Sequence, residues 1–361
     1  MGQAKGPLPD VPIAAAEIKN IVLRGGILLT VYPSLPAELQ QDLKNAYLPA
    51  VKQSVLQDYE GQRILQGLGE AGLDCIALKG WDLRQLYPDI TMRQMADLDI
   101  LVRPYSYGLI KKVMLELGFR AECAAESSWM HDNFGKDEVN VELHKRLSDD
   151  SGVIQKWEKQ IWQRAACTQD HIFKMSPEDH YVFHFIHLHK DFLNGSLGLR
   201  RIIDTWLLQK QDFDRSAVLT AFEQMGLTAF HENMIRLSRA CMGEIPVDDR
   251  CEVLLRHAFR FGIYGTDVSY KAGRIAAMSS GSMAAGKIRS FMRAVFLPYR
   301  RMKAQFPVLE KWPILLPFCW FRRIAHLMRG GLKDKKRKLD YRHIDRADYD
   351  EMKAFFEAGG C

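Results

Sequence analysis

The sequence contains no CxxC pair, no HExxH element and no run of about 18 apolar residues. The first two absences remove the common zinc-knuckle and zinc-protease patterns. The third removes a membrane-spanning helix as read by hydropathy. The seven cysteines (Cys75, Cys123, Cys167, Cys241, Cys251, Cys319 and Cys361) are odd in number and scattered. That is reduced, cytosolic usage and not a disulfide framework. The opening MGQAKGPLPDVPIAAAEIKN lacks an uninterrupted apolar stretch, so it does not read as a signal peptide. No internal repeat and no low-complexity tract interrupts the chain. A cytoplasmic protein is expected, with peripheral membrane attachment as the alternative.

What is present is an ordinary globular composition, 361 residues with 47% hydrophobic and 26% charged side chains. This suffices for two domains, or for one domain with helical additions. The net charge of +6 is unevenly placed: Gly286 to Arg346 holds 17 Lys and Arg against 4 acids. The rest of the chain is mildly acidic.

The chemically demanding stretch is ADLDILV, residues 96–102. Ile100, Leu101 and Val102 favour a strand, and Leu98 extends the apolar run between two aspartates. Side chains alternate along a strand, so Asp97 and Asp99 point to one face while Leu98 and Ile100 point into packing. Two like charges roughly 7 Å apart repel, and burying either one unpaired costs several kcal/mol. Three arrangements relieve this: a solvated strand end, pairing with Lys79 or Arg93, or a bound divalent cation.

Other elements follow from periodicity. Helical spacing runs from Pro36 to about Ala71, with Ser34 and Pro36 as start signals and Gly72 as a stop. LDCIAL (73–78) reads as a buried strand ended by Lys79-Gly80, and Trp81 to Tyr87 as a helical turn or two. Pro104 opens a helix that ends at Gly118. VNVELH (139–144) is a third strand with Asn140, Glu142 and His144 on one face. From Ser176 the pattern turns helical, opening on a capping signature, Ser176 with Asp179. The expected fold is α/β (α+β) with a mixed sheet. It divides into a helical segment 1–70, a core 71–165, a helical domain 166–290 and a basic, aromatic segment 291–361.

The combination of LKG, LYPDITMRQMADLDILV and VELH, with the helical HLHKDF and LGLRRIIDTW downstream, resembles the family of uncharacterised nucleotidyltransferases, within the polymerase-β-type superfamily. The resemblance spans roughly residues 40–330. It implies transfer of NMP from an NTP, ATP first, to a hydroxyl on a small molecule, peptide, protein or RNA. It implies a pair of Mg²⁺ ions held by Asp97, Asp99 and Glu142, with Glu142 also able to accept the hydroxyl proton. Gly80 would let the backbone approach the phosphates, which the following helix N-terminus would meet with free N–H groups. Lys79 would contact the β- or γ-phosphate. The chain departs from the family's helical motif in carrying Asp191 where a histidine is usual. A non-catalytic nucleotide-binding or scaffold protein, and a toxin-type enzyme acting on tRNA, are the alternatives.

Several residues have plainer readings. Arg93 either binds triphosphate with its planar fork or closes its loop onto Asp97. His144 reads first as a solvent-facing strand histidine, with metal ligation or orientation of Glu142 as alternatives. His180, His184 and His187 share a helix face and read as packing or groove-lining, with His187 and Lys190 able to line the cleft. Arg200 and Asp204 are spaced as a helical ion pair, and Tyr264 as a turn aromatic. The mixture of aromatics and cations beyond residue 291 reads as a tail packed over the helical domain, or as a contact for a membrane surface or nucleic acid.

Overall fold

The computed structural model describes residues 37–103, 107–121, 131–147, 152–261, 265–279, 282–329, 341 and 343–361. The expectations for Ser34 and Pro36, Pro104, Cys123 and Tyr264, and for the part of the basic segment at 330–340 and 342, lie outside these residues.

Helix α1 (Ala37–Glu70) leads into β1 (Cys75–Ala77), the short helix α2 (Lys79–Leu83) and β2 (Asp97–Val102). Then follow α3 (Tyr107–Glu116), β3 (Arg120–Ala121), β4 (His131–Lys136), β5 (Val139–His144), α4 (Val153–Arg164), β6 (Ala166–Gln169) and β7 (Ile172–Lys174). The described strands form one seven-stranded mixed sheet in the order β3-β4-β5-β2-β1-β7-β6. The sheet therefore continues past residue 165, because β7 pairs in parallel with β1. The segment beginning at 166 is not helical until Ser176 caps helix α5 (Pro177–Leu193), its side chain accepting from the Asp179 amide as the capping pattern requires.

One face of the sheet packs against α1 and α3. Leu98, Ile100 and Val102 of β2 and Val139, Val141 and Leu143 of β5 meet Ile64, Leu68, Ile110, Val113 and Met114 in a single core. Each such fully buried aliphatic side chain contributes about 1.5–3 kcal/mol. This is why the alternate residues of β2 are free to be acidic. Helix α2 is fastened to α1 by the Trp81 indole, which lies so close to Gly61 that a Cβ there would be 2.7 Å from the ring. Asp58 accepts hydrogen bonds from both Trp81 and Arg84.

Helices α5, α6 (Leu199–Leu208), α7 (Arg215–Met225), α8 (Thr228–Cys241), α9 (Asp249–Phe261) and α10 (Asp267–Met278) build a second core. The last helix, α15 (Arg346–Gly359), belongs to it too. Its Phe355 stacks on Phe192 and on His257, at centroid distances of 4.0 and 3.7 Å. The segment from 291 onward is therefore not one unit, since its end completes the helical core.

Burial pushes the imidazole of His184 down to about 3 and those of His187 and His257 down to about 4. These groups stay neutral in the folded chain while an unfolded chain protonates them near 6.5. The unfolded state thus binds more protons below that pH. Each histidine removes up to about 1.4 kcal/mol of stability per pH unit between roughly 6.5 and 4. The melting temperature, measured by calorimetry, is expected to fall steeply from pH 7 to 4.5. A flat profile across that window would contradict these burial assignments.

Candidate active site

The register of the central strands brings the acidic side chains together. β2 and β5 run in parallel, with Asp97 opposite Asn140, Asp99 opposite Glu142 and Leu101 opposite His144. β4 pairs antiparallel to β5 and sets His131 opposite His144 and Asn133 opposite Glu142. Paired residues share a face, so the two aspartates, Glu142, His144, His131 and Asn133 lie on one side of the sheet. A carboxylate oxygen from each of Asp97, Asp99 and Glu142 lies within 4.8 Å of the other two. His131, Glu142 and His144 form a second group that meets the same limit.

Asp99 is the buried centre. Its Oδ1 accepts from Lys79 Nζ at 2.5 Å and lies 2.6 Å from His144 Nε2. Burial alone would raise its pKa, but the Lys79 ammonium and the His144 imidazole hold it well below the usual carboxylate range. Asp97 has no such direct support. Burial, reinforced by the neighbouring Asp99 charge, pushes it up to about 6. The His144 hydrogen bond lowers the pKa of Glu142, whose Oε2 lies 3.3 Å from His144 Nε2. His144 is thus buried between two carboxylates, not solvent-facing. Burial opposes its charge, but hydrogen bonds to Asp99 and Glu142 prevail and raise its pKa. Lys79 reaches Asp99 from a left-handed backbone conformation, φ 46°, at the junction of β1 and α2. Such a conformation costs a non-glycine residue about 1 kcal/mol or more.

The readings of Arg93 and of the Arg200–Asp204 pair are corrected. Arg93 neither faces the carboxylates nor offers its fork to a phosphate. It is buried, and its Nε and Nη2 donate to the two oxygens of Asp204 at 2.7 and 2.8 Å. Tyr87 donates to the same carboxylate at 2.8 Å. Arg200, the partner that helical spacing offers to Asp204, instead donates to the backbone oxygen of Gln94 at 2.6 Å. A bidentate fork inside the protein outcompetes a helical neighbour for the same carboxylate. Gly80 is needed for packing against protein: a Cβ there would lie 2.7 Å from Arg93 Nη1 and 2.8 Å from Met95 Sδ. Asp204 pins Arg93, so it has little room to yield. Gly80→Ala is expected to cost about 1–3 kcal/mol, read as a lower urea midpoint. An unchanged midpoint would show that Arg93 relocates freely.

From the helical side, His187 accepts from Arg201 Nη2 at 2.8 Å and lies 3.1 Å from Asp191 Oδ2, which also accepts from Arg201 at 2.7 Å. Asp191 therefore anchors Arg201 and His187 where the family motif has a histidine. Lys190 is exposed near the end of α5. His131, Asn133 and Arg201 were not singled out from sequence. HDNFGK has too few β-formers to announce a strand, and only its pairing with β5 reveals the two β4 residues.

A mixed sheet with an Asp-Leu-Asp strand paired in parallel to a glutamate-bearing strand is the arrangement expected of a nucleotidyltransferase core. The chain belongs to the uncharacterised nucleotidyltransferase family, whose model matches residues 13–243. No curated protein matches it in sequence. Among solved structures, it is similar to the solution structure of antibiotic-resistance factor ANT(2'')-Ia. Identity is 12% and the TM-score is 0.29, over 56% of this chain and 97% of that one.

Proposed function

We propose that the chain transfers NMP from an NTP, with ATP as the first nucleotide to test, to a hydroxyl acceptor in a Mg²⁺-dependent reaction. The observation that carries this reading is the convergence of Asp97, Asp99 and Glu142 within 4.8 Å on one sheet face. Three carboxylates at that spacing form an all-oxygen donor set suited to a hard divalent cation. Asn133 adds a buried side-chain oxygen with no hydrogen-bond partner among the described residues, on the strand position opposite Glu142. Asp97, Asp99 and Glu142 would hold the ions. Bound Mg²⁺ supplies charge neutralisation for the phosphates and acidity for the attacking hydroxyl.

The protein's own groups divide the remaining work. Glu142, partly exposed and kept ionised by His144, accepts the proton of the acceptor hydroxyl. The deprotonated oxygen of the acceptor attacks the α-phosphorus, the bond from that phosphorus to the oxygen bridging to the β-phosphate breaks, and pyrophosphate leaves. Lys79 at the edge of the triad places positive charge beside the phosphates. His144 keeps both Asp99 and Glu142 ionised and orients them. Arg93 acts at one remove, fixing the segment that enters β2 against the helical domain through Asp204.

The test is incubation of the protein with each α-labelled NTP, MgCl₂ and cell extract, followed by separation of labelled products. The reading predicts label on an acceptor with release of unlabelled pyrophosphate, abolished by EDTA. Absence of label on any acceptor from the α-labelled NTPs, with transfer seen only when γ-labelled NTP is supplied in parallel, would refute nucleotidyl transfer.

A further inference from the structure

Residues 283–329 present a surface that the reaction proposed above does not use. Helices α11 (Met283–Val295), α12 (Tyr299–Gln305), α13 (Val308–Lys311) and α14 (Leu316–Arg329) enclose a small cluster of Met302, Leu309 and Cys319. Leu297, Phe306, Leu316 and Trp320 pack around it. The outward side of the same helices is apolar as well. Ile314 is 82% exposed, Phe321 73% and Phe318 65%. Phe318 and Phe321, three apart on α14, share a face, and Ile314 extends it from the turn leading into that helix. On α11, Ile288, Phe291 and Met292 form a second exposed stripe at helical spacing. The helices bearing the two stripes meet, because Phe296, just past α11, lies edge-on to Trp320 of α14 at 5.4 Å and Arg323 donates to the Val295 backbone oxygen. A folded chain rarely leaves a face such as that of Ile314, Phe318 and Phe321 to water without a partner for it.

The charge around this face identifies the partner. Residues 283–329 carry ten Lys and Arg and one acid, Glu310. Glu310 is taken by Lys303 at 2.9 Å. Arg293, Lys311 and Arg322 are exposed alongside the apolar stripes. We propose that this face is a platform that seats the chain on an anionic lipid bilayer, with the Phe and Ile side chains in the headgroup–acyl boundary and the cations among the headgroups. Interfacial binding needs both contributions, apolar burial and attraction to acidic lipid. Among the described residues no helix is long and apolar enough to cross a membrane, so the mode is one of lying on it. A second copy fits poorly, because two such faces would oppose like charges. RNA would engage the cations and the exposed Phe rings, but it leaves Ile314, Ile288 and Met292, which offer no ring for base stacking, open to water.

Co-sedimentation of the full chain with vesicles tests this. One set is phosphatidylcholine alone, and the other contains about one-third phosphatidylglycerol. Partitioning onto the acidic vesicles is expected to exceed that onto the neutral ones about tenfold or more and to weaken in high salt. Ile314→Ser, Phe318→Ser and Phe321→Ser combined are expected to lower it about tenfold or more, with the melting temperature unchanged because all three are exposed. Absence of vesicle binding, or undiminished binding by the triple variant, would overturn the proposal. So would retention of tRNA, or a concentration-dependent dimer lost in the triple variant, without vesicle binding.

Discussion

Asp99→Asn is expected to lower nucleotidyl transfer by about 10³-fold or more while leaving the protein folded. Asp99 is the carboxylate that both Lys79 and His144 address, and it is the most buried of the three acids. Asparagine keeps its shape and still accepts from Lys79, so the sheet register survives. What disappears is the negative charge that a cation needs. Loss of about 4 kcal/mol of charge stabilisation in the transition state corresponds to that factor. Asp97→Asn is expected to do the same from a residue that Lys79 does not touch, which separates the loss of charge from the loss of the Lys79 contact. The measurement is turnover of α-labelled NTP at saturating MgCl₂, with circular dichroism as the fold control. If Asp99→Asn keeps more than about a tenth of wild-type turnover, the carboxylate is structural.

The largest expected effect on stability belongs to a different pair. Arg93→Ala is expected to cost about 3–5 kcal/mol, because it leaves the Asp204 carboxylate buried without its countercharge. Asp204 has no exposed surface, and burial would raise its pKa. The Arg93 guanidinium instead holds it well below the ordinary value. The Tyr87 hydroxyl would remain hydrogen-bonded to it, but a neutral hydroxyl does not replace the lost countercharge. Urea denaturation should show a lowered midpoint. Replacing both partners together, Arg93→Met with Asp204→Leu, should recover much of the loss, because neither buried charge is then left alone. The exposed pair Arg346–Asp350 serves as a control, with Arg346→Ala costing less than about 1 kcal/mol. Equal effects for Arg93→Ala and Arg346→Ala would contradict the buried-pair account. Because Arg93 joins the strand carrying the aspartates to α6, the same variant should also slow transfer, through loss of position and not of charge.

Part of this architecture was legible in the residues alone. β2 and β5 fall where alternation places them, Asp97–Val102 and Val139–His144, since each strand has apolar residues at every second position. The facing of Asp97 with Asp99 follows from that alternation. The adjacency of Glu142 to Asp99 does not, because a parallel register between strands some forty residues apart is a tertiary fact. The strands β6 and β7, four and three residues long, are too short to show a period, so alternation alone ends the sheet at β5. The Arg93–Asp204 pair joins residues 111 apart, and spacing along the helix pointed to Arg200 instead. Gly80 was recognisable as a close-approach position, but only the packing shows that Arg93 and Met95 are what approach it.

The central claim is that Asp97, Asp99 and Glu142 together make a divalent-cation site. Titration of the protein with Mn²⁺, followed by the loss of the free-ion electron paramagnetic resonance signal, tests it without knowledge of nucleotide or acceptor. Wild-type protein should bind the ion, and Asp97→Asn, Asp99→Asn and Glu142→Gln should each weaken binding by about tenfold or more. Mn²⁺ binding that is absent from the wild type, or equally strong in all three variants, would contradict the account.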